Sequence, residues 1–268
     1  MIDRARLEAI VREAGRISLA GWRGGGHGRR GGAKGRDHPV SARDLPVGAF
    51  LKRELRALLP AAGWLSEETV DAPARLGGNL AWLVDPIDGT RDFIRGRTGW
   101  AVSVALVNSA RPLLGLLFAP ARRRDEGGEF WFGEAGKGSW RNGARLAASA
   151  RAQLAGARVP ASHLPKEDAD LVMVDQPNSI ALRIAMVAAD EADLVAPVRW
   201  GFEWDIAAAA LIAREAGAAV TDAFGQPLNY NKADPRAFGV LATAPSIHTA
   251  ATERLGQRAK ELSGQKPQ

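Results

Sequence analysis

The stretch Trp82-Leu83-Val84-Asp85-Pro86-Ile87-Asp88-Gly89-Thr90-Arg91-Asp92-Phe93 decides how this chain is read. Its apolar start predicts a strand, from Leu80 to Val84, that delivers Asp85 at its C-terminal end. Pro86 lacks an N–H and is expected to block further pairing, while Gly89 lets the backbone turn close to a ligand. Thr90 can then open a helix whose free N–H groups would accept a phosphate. Simple capping by Thr90 is the plainer reading, and the two roles can coexist. Two carboxylates held this close repel each other. A hard cation such as Mg2+ removes the conflict, because it favours oxygen ligands and bridges carboxylate to phosphate.

Two lookalikes fail. With Gly89 at position 6 of an EF-hand loop, Val84, Pro86 and Arg95 would fall at ligand positions 1, 3 and 12. An Asp-x-Asp-Gly-Thr nucleophile motif also fails, since Asp85 and Asp88 are three residues apart and not two. The chemistry suggested is therefore activated water and not an aspartyl-phosphate.

Further acids stand where elements begin or end. Glu67 and Glu68 follow the short apolar run Trp64-Leu65-Ser66, Asp205 follows Trp204 at the head of an Ala-rich helix, and Asp44 closes Pro39-Val40-Ser41-Ala42-Arg43-Asp44. Taken singly, each has an ordinary explanation: a solvated loop for Glu67 and Glu68, a helix-start acid for Asp44, an N-cap for Asp205. Even Asp85 and Asp88 could form a structural turn.

The rest of the chain sets the frame. Its 268 residues are 46% hydrophobic and 25% charged, an ordinary globular balance. The net charge is +6 and the sequence pI is about 10.1, which by itself would suggest a nucleic-acid partner. The excess is local, however: Gly21 to Arg36 holds eight glycines, five basic side chains and no acid. Arg-Gly segments do bind RNA, but only Trp22 lies near this one for stacking, so nucleic acid is the weaker reading. Arg122, Arg123 and Arg124 run into Asp125 and Glu126 and read as a solvated loop.

No run of about 18 apolar residues predicts a membrane span, and Met-Ile-Asp-Arg-Ala-Arg lacks the apolar stretch of a secretory signal. Zero cysteines exclude disulfides and thiolate sites and fit a cytoplasmic protein. His27, His38, His163 and His248 are scattered, which disfavours a His-built zinc site.

Periodicity predicts helices over about 7–21, 45–59, 180–189 and 206–216, with Pro245-Ser246 opening a last one to about Leu262. Strands are expected at 63–66, 80–84, 100–107, 113–118, 193–198, 219–222 and 238–243, and Asn142-Gly143 marks a tight hairpin. The mixture lacks regular βαβ alternation, so an α+β or layered α/β fold is expected.

In their order along the chain, these motifs resemble the inositol monophosphatase superfamily of Mg2+-dependent, Li+-sensitive phosphatases. The resemblance runs from Pro39 to Asn231. Asp85-Pro86-Ile87-Asp88-Gly89-Thr90 is its most specific part, and Trp204-Asp205 with Glu215-Ala216-Gly217 supports it independently. Gly133 to Gly143 is similar to the family's β-hairpin and is no Walker A loop, because Gly138 follows Lys137 where Ser or Thr is required. Ser41 stands where the family usually has Thr, and Ala218 replaces a second Gly.

The resemblance implies a five-layer αβαβα sandwich, with an N-terminal portion over 1–151 and a C-terminal portion over 152–268. It implies that Glu67, Asp85 and the Ile87 carbonyl hold one Mg2+. Asp85, Asp88 and Asp205 would hold a second, with a further, weaker ion near Glu67, and Glu68 could orient the ligands without touching an ion. Asp44 and Thr90 would orient and help deprotonate the attacking water, while the N–H groups of Gly89 and Thr90 hold the phosphate, with Asp88 and Asp205 also at the substrate. The segment 21–36 corresponds to a mobile flap, bringing Lys34 and Asp37 toward the metals; a passive solvated loop is its plain alternative.

Family members are often homodimers, and the implied partner is a small anionic phosphate ester. The wording of the motifs is most similar to the bacterial CysQ-type branch, associated with 3′(2′),5′-bisphosphate nucleotidase activity. The alternative is an inositol-1-monophosphatase or another sugar-phosphate phosphatase.

Overall fold

The computed structural model describes residues 2–23, 44–69 and 73–263; of Asp44, Leu45 and Pro73 only the backbone is described. Most of the basic segment 21–36, together with Lys34, Asp37, Ser41 and the Asp44 side chain, lies outside the described residues.

The stripe Leu7, Ile10, Val11 and Ala14 forms the buried face of α1 (Arg4–Gly21), and the Asp3 carboxylate caps this helix by accepting the Arg6 N–H. α2 (Asp44–Leu58) buries Val47, Leu51 and Leu55 and stops ahead of Pro60. Both helices cover one face of a seven-stranded sheet. In spatial order its strands are β1 (Gly63–Ser66), β2 (Leu80–Asp88), β3 (Ala101–Asn108), β4 (Arg111–Ala119), β5 (Glu129–Glu134), β6 (Gly138–Arg141) and β7 (Ala144–Arg145). β1 and β2 run parallel and every other pair is antiparallel. A short helix, α3 (Thr90–Ile94), follows β2 directly.

The other face of the sheet is covered by α4 (Ile180–Ala188) and α5 (Glu203–Glu215). Two small pairs flank the C-terminal half: β8 (Arg158–Pro160) with β9 (Val172–Val174), and β11 (Trp200–Phe202) with β13 (Arg236–Phe238). Behind α4 and α5 lies a three-stranded sheet of β10 (Leu194–Val195), β14 (Leu241–Thr243) and β12 (Ala219–Thr221), closed by α6 (His248–Ser263). Helices, sheet, helices, sheet and helix make the expected five layers.

Alternation along the strands sorts the core. Leu83, Ala105, Leu117 and Trp131 pack toward Ile184, Ala208 and Ile212, while Trp82, Val84, Val104 and Leu116 pack toward Leu7, Val11 and Leu51. Burial on both faces explains why these strands read as continuous apolar runs. The Ala-rich face of α5 lets it approach closely: a Cβ placed on Gly115 would lie 2.5 Å from the Ala208 carbonyl. Among the described residues, no helix is long and apolar enough to cross a membrane.

Several expectations are corrected. β2 does not stop at Val84 but continues to Asp88, with pairs Asp85–Ser103 and Asp88–Ala101 separated by a register shift. A bulge absorbs Pro86, which has no N–H to give the ladder, and re-aims both acids. α5 starts at Glu203 after an N-cap at Phe202, so Asp205 lies within its first turn and is not the cap. The run at 193–198 shortens to Leu194–Val195, and the run at 238–243 divides between β13 and β14, which pair with different neighbours. A 3-10 turn, Pro245–Ile247, precedes α6.

Candidate active site

The bulge at Pro86 and the turn after it concentrate polar groups in a small space. Asp85 and Asp88 are buried. The Asp85 carboxylate accepts the Ile87 N–H at 2.9 Å, an intraloop bond that fixes the turn. Gly89 holds φ 94°, in the left-handed region, and a Cβ there would lie 2.6 Å from the Gly99 carbonyl and 2.8 Å from the Ser179 nitrogen. Glycine is thus required both for the turn and for the close approach of the α4 N-terminus. The Thr90 hydroxyl donates to the Ile87 carbonyl at 3.0 Å; that oxygen keeps a second lone pair for another partner.

Asp88 is tied to α4. Its carboxylate accepts the Ser179 hydroxyl at 2.5 Å, the Ala181 N–H at 2.8 Å and the Ile180 N–H at 3.4 Å. Half-buried Asp205 accepts the Phe202 N–H at 3.1 Å and lines a small cavity with Arg199, Trp200 and Ile180. Glu67 stands at the exposed edge of the cluster.

Electrostatics bind the four acids into one group. Burial raises the Asp85 carboxyl well above its usual range, and Glu67, Asp88 and Asp205 raise it further. Burial also raises Asp88, partly offset by its bonds to Ser179 and Ala181. Burial and then Asp88 raise Asp205. Among the described residues no three carboxylates or histidines stand close enough together to hold a metal ion by themselves. The all-oxygen donor set and the mutual repulsion suit a hard divalent cation.

Ile87, Gly89 and Thr90 share one turn with Asp85 and Asp88, and Glu67 and Asp205 lie within electrostatic reach of Asp85. The Asp44 side chain, as noted, lies outside the description. What sequence reasoning missed is the cationic side. Arg183, half-buried on α4, donates to the carbonyls of Asn178 and Ser179 at 2.9 and 3.4 Å. Its pKa is lowered by burial and by Arg199, against the pull of Asp88 and Asp92. Among the described residues neither arginine makes an ion pair. Only Ser179 carried a signal, as a hydroxyl residue just before an apolar helical run; nothing marks Arg183 or Arg199 in one dimension. A cleft of about 530 Å3 beside Arg122, Arg123 and Glu129 is lined by none of the four acids.

Comparison with known proteins agrees with this layout. The model of the inositol monophosphatase family matches residues 3–262. A Thermotoga maritima fructose-1,6-bisphosphatase/inositol-1-monophosphatase is 31% identical over 185 residues, covering 66% of this chain and 68% of its own. The Escherichia coli 3′(2′),5′-bisphosphate nucleotidase CysQ is equally 31% identical, over 189 residues, with 66% and 73% covered. The two named activities stand level, so identity singles out neither. The solved structure of a Thermotoga maritima IMPase superposes with a TM-score of 0.78 at 24% identity, covering 96% of this chain and 97% of that one. The chain belongs to the inositol monophosphatase family of phosphatases.

Proposed function

We propose that the chain is an Mg2+-dependent phosphate monoester hydrolase whose preferred substrate is a nucleoside 3′,5′-bisphosphate, with adenosine 3′,5′-bisphosphate giving AMP and phosphate. The observation that carries the choice of substrate is the pair Arg183 and Arg199. Two cationic side chains that repel each other, without ion pairs among the described residues, stand beside the acids. A second anionic group on the substrate would relieve that repulsion, and an uncharged polyol would not. Arg183 also lines a cavity of about 210 Å3 of mixed character, with Leu154, Leu164, His163, Arg254 and Arg258 among its other walls.

In this reading Glu67, Asp85 and the Ile87 carbonyl would hold one Mg2+, and Asp85, Asp88 and Asp205 a second. A further, weaker ion is assigned to the Glu67 edge. The ions would neutralise the acids and stabilise charge on the entering and departing oxygens of an in-line displacement. The chain's own groups supply the rest. Asp88 is kept in place by Ser179 and the α4 amides. The N–H groups of Gly89 and Thr90 orient the phosphate, and Asp44 with the Thr90 hydroxyl takes up the proton of the attacking water. The water oxygen forms its bond to phosphorus as the P–O3′ bond breaks, and the departing ribose oxygen takes a proton from solvent water.

The test is phosphate release from adenosine 3′,5′-bisphosphate, inositol 1-phosphate and fructose 1,6-bisphosphate under saturating Mg2+. The nucleotide should show the highest kcat/KM. Arg183→Gln should raise KM for the nucleotide about tenfold while leaving inositol 1-phosphate nearly unchanged, as expected for one charged contact of about 1.4 kcal/mol. A higher kcat/KM for inositol 1-phosphate would overturn the assignment.

A further inference from the structure

A second set of buried polar groups joins the two elements that bring Glu67 and Asp205 to the cluster. Arg75, only 3% exposed, sits in the 3-10 turn Pro73–Gly77, downstream of the Glu67 loop. That turn is packed against β1: a Cβ on Gly63 would lie 2.7 Å from Arg75 Cβ. The Arg75 guanidinium donates to Asn231 Oδ1 and to the Lys232 carbonyl, both at 2.6 Å. From the opposite side Glu203 grips the same two residues. It is fully buried at the first position of α5, two residues before Asp205, and accepts the N–H of Asn231 at 2.5 Å and of Lys232 at 3.2 Å. The Lys232 ammonium lies 3.5 Å from the Glu203 carboxylate.

Residues 231–232 are therefore a strap, clasped by an arginine from the N-terminal half and a glutamate from the start of α5. The clasp is hard to loosen. Removing one partner leaves buried charged or amide groups without hydrogen bonds, which costs far more than the bond itself contributes. Asn231 further holds φ 57°, in the left-handed region where Asn and Gly are the tolerated residues. Groups that orient ligand-bearing elements tune metal affinity without touching the ion.

We infer that Arg75 and Asn231 are positioning residues that fix the spacing between Glu67 and Asp205, and through it the affinity for the divalent cation. The inference rests on the proposed reading of those two acids as Mg2+ ligands. Its test is Mn2+ binding to the full chain, by titration calorimetry, with thermal unfolding in parallel, for Asn231→Gly, Arg75→Lys and Asp205→Asn. Asn231→Gly keeps the backbone conformation and removes only the side-chain amide. It should weaken Mn2+ binding by about tenfold or more, and the Mg2+ concentration for half-maximal activity should rise in step. Arg75→Lys, which keeps the charge and loses the fork, should fall between this and the unaltered protein. Unaltered Mn2+ affinity in both variants, with or without a lowered Tm, overturns the positioning role, provided Asp205→Asn has lost binding. Unaltered Mn2+ affinity in Asp205→Asn overturns the ligand assignment itself.

Discussion

Asp193 and Asp85 are both buried aspartates, 1% and 3% exposed, yet their surroundings treat charge in opposite ways. Burial pushes Asp193 up, but the Arg158 guanidinium and amide outweigh it and bring the carboxyl down to about 2. Arg158 reaches one Asp193 oxygen through Nε at 2.9 Å and the other through Nη2 at 2.8 Å, a two-pronged clamp. Asp85 has no cationic partner among the described residues: burial and then the neighbouring acids raise its carboxyl, and only the Ile87 N–H opposes them. A carboxylate kept for stability is neutralised within the fold. A carboxylate kept for chemistry is left for something from solution to neutralise.

The sharpest way to break that contrast is to remove one charge from the uncompensated group. Asp88→Asn or Asp205→Asn should lower Mg2+-dependent phosphate release by about a thousandfold or more, since the cation's charge stabilisation amounts to several kcal/mol. Tm should hold steady or rise, because a repelling charge has gone. Retained activity would show that these acids repel one another for no catalytic reason. A collapse in Tm would move them to the same category as Asp193.

A smaller effect is expected where the uncompensated group is held rather than built. The Ser179 hydroxyl gives Asp88 its shortest hydrogen bond and at the same time accepts the Leu182 N–H. Ser179→Ala should lower activity by roughly 10- to 100-fold, the usual effect of removing a group that orients a ligand-bearing side chain. Ser179→Thr keeps the hydroxyl and should restore most of it. If the Ala and Thr variants lose activity equally, packing at the α4 N-terminus and not the hydrogen bond is responsible.

The sequence made one side of this contrast legible and hid the other. Asp85, Asp88, Gly89 and Thr90 are contiguous, so one local turn determines their arrangement, and Trp204-Asp205 announces itself by its helix. The layered fold followed from the apolar periodicities for the same reason. Pro86 misled, because a proline signals the end of regular pairing but not a bulge that carries the strand past it. Arg183, Arg199 and Arg75 acquire meaning only from partners far away in sequence: Arg75 meets Asn231 across 156 positions. Their types are those of any solvated residue, and nothing in spacing distinguishes a bolt from a surface charge.

The compensated half of the contrast carries its own prediction in pH. Asp193 has a folded-state value of about 2 against an ordinary 3.8, so the folded chain favours its ionised form. Its contribution is complete above about pH 4 and is lost as pH falls toward 2. The shift corresponds to about 2 kcal/mol. Asp193→Asn should therefore lower unfolding stability by about that amount at pH 7, seen as a reduced urea midpoint at unchanged m-value. The gap between variant and unaltered protein should narrow as pH is lowered from 5 toward 3, because protonation does to the aspartate what the substitution has already done. The kcat of the folded variant should not change, since Arg158 and Asp190 join Asp193 in an ion-pair group that includes none of the catalytic acids. A gap independent of pH would mean that shape, not charge, makes Asp193 matter. A fall in kcat would mean that the two classes of buried aspartate are coupled after all.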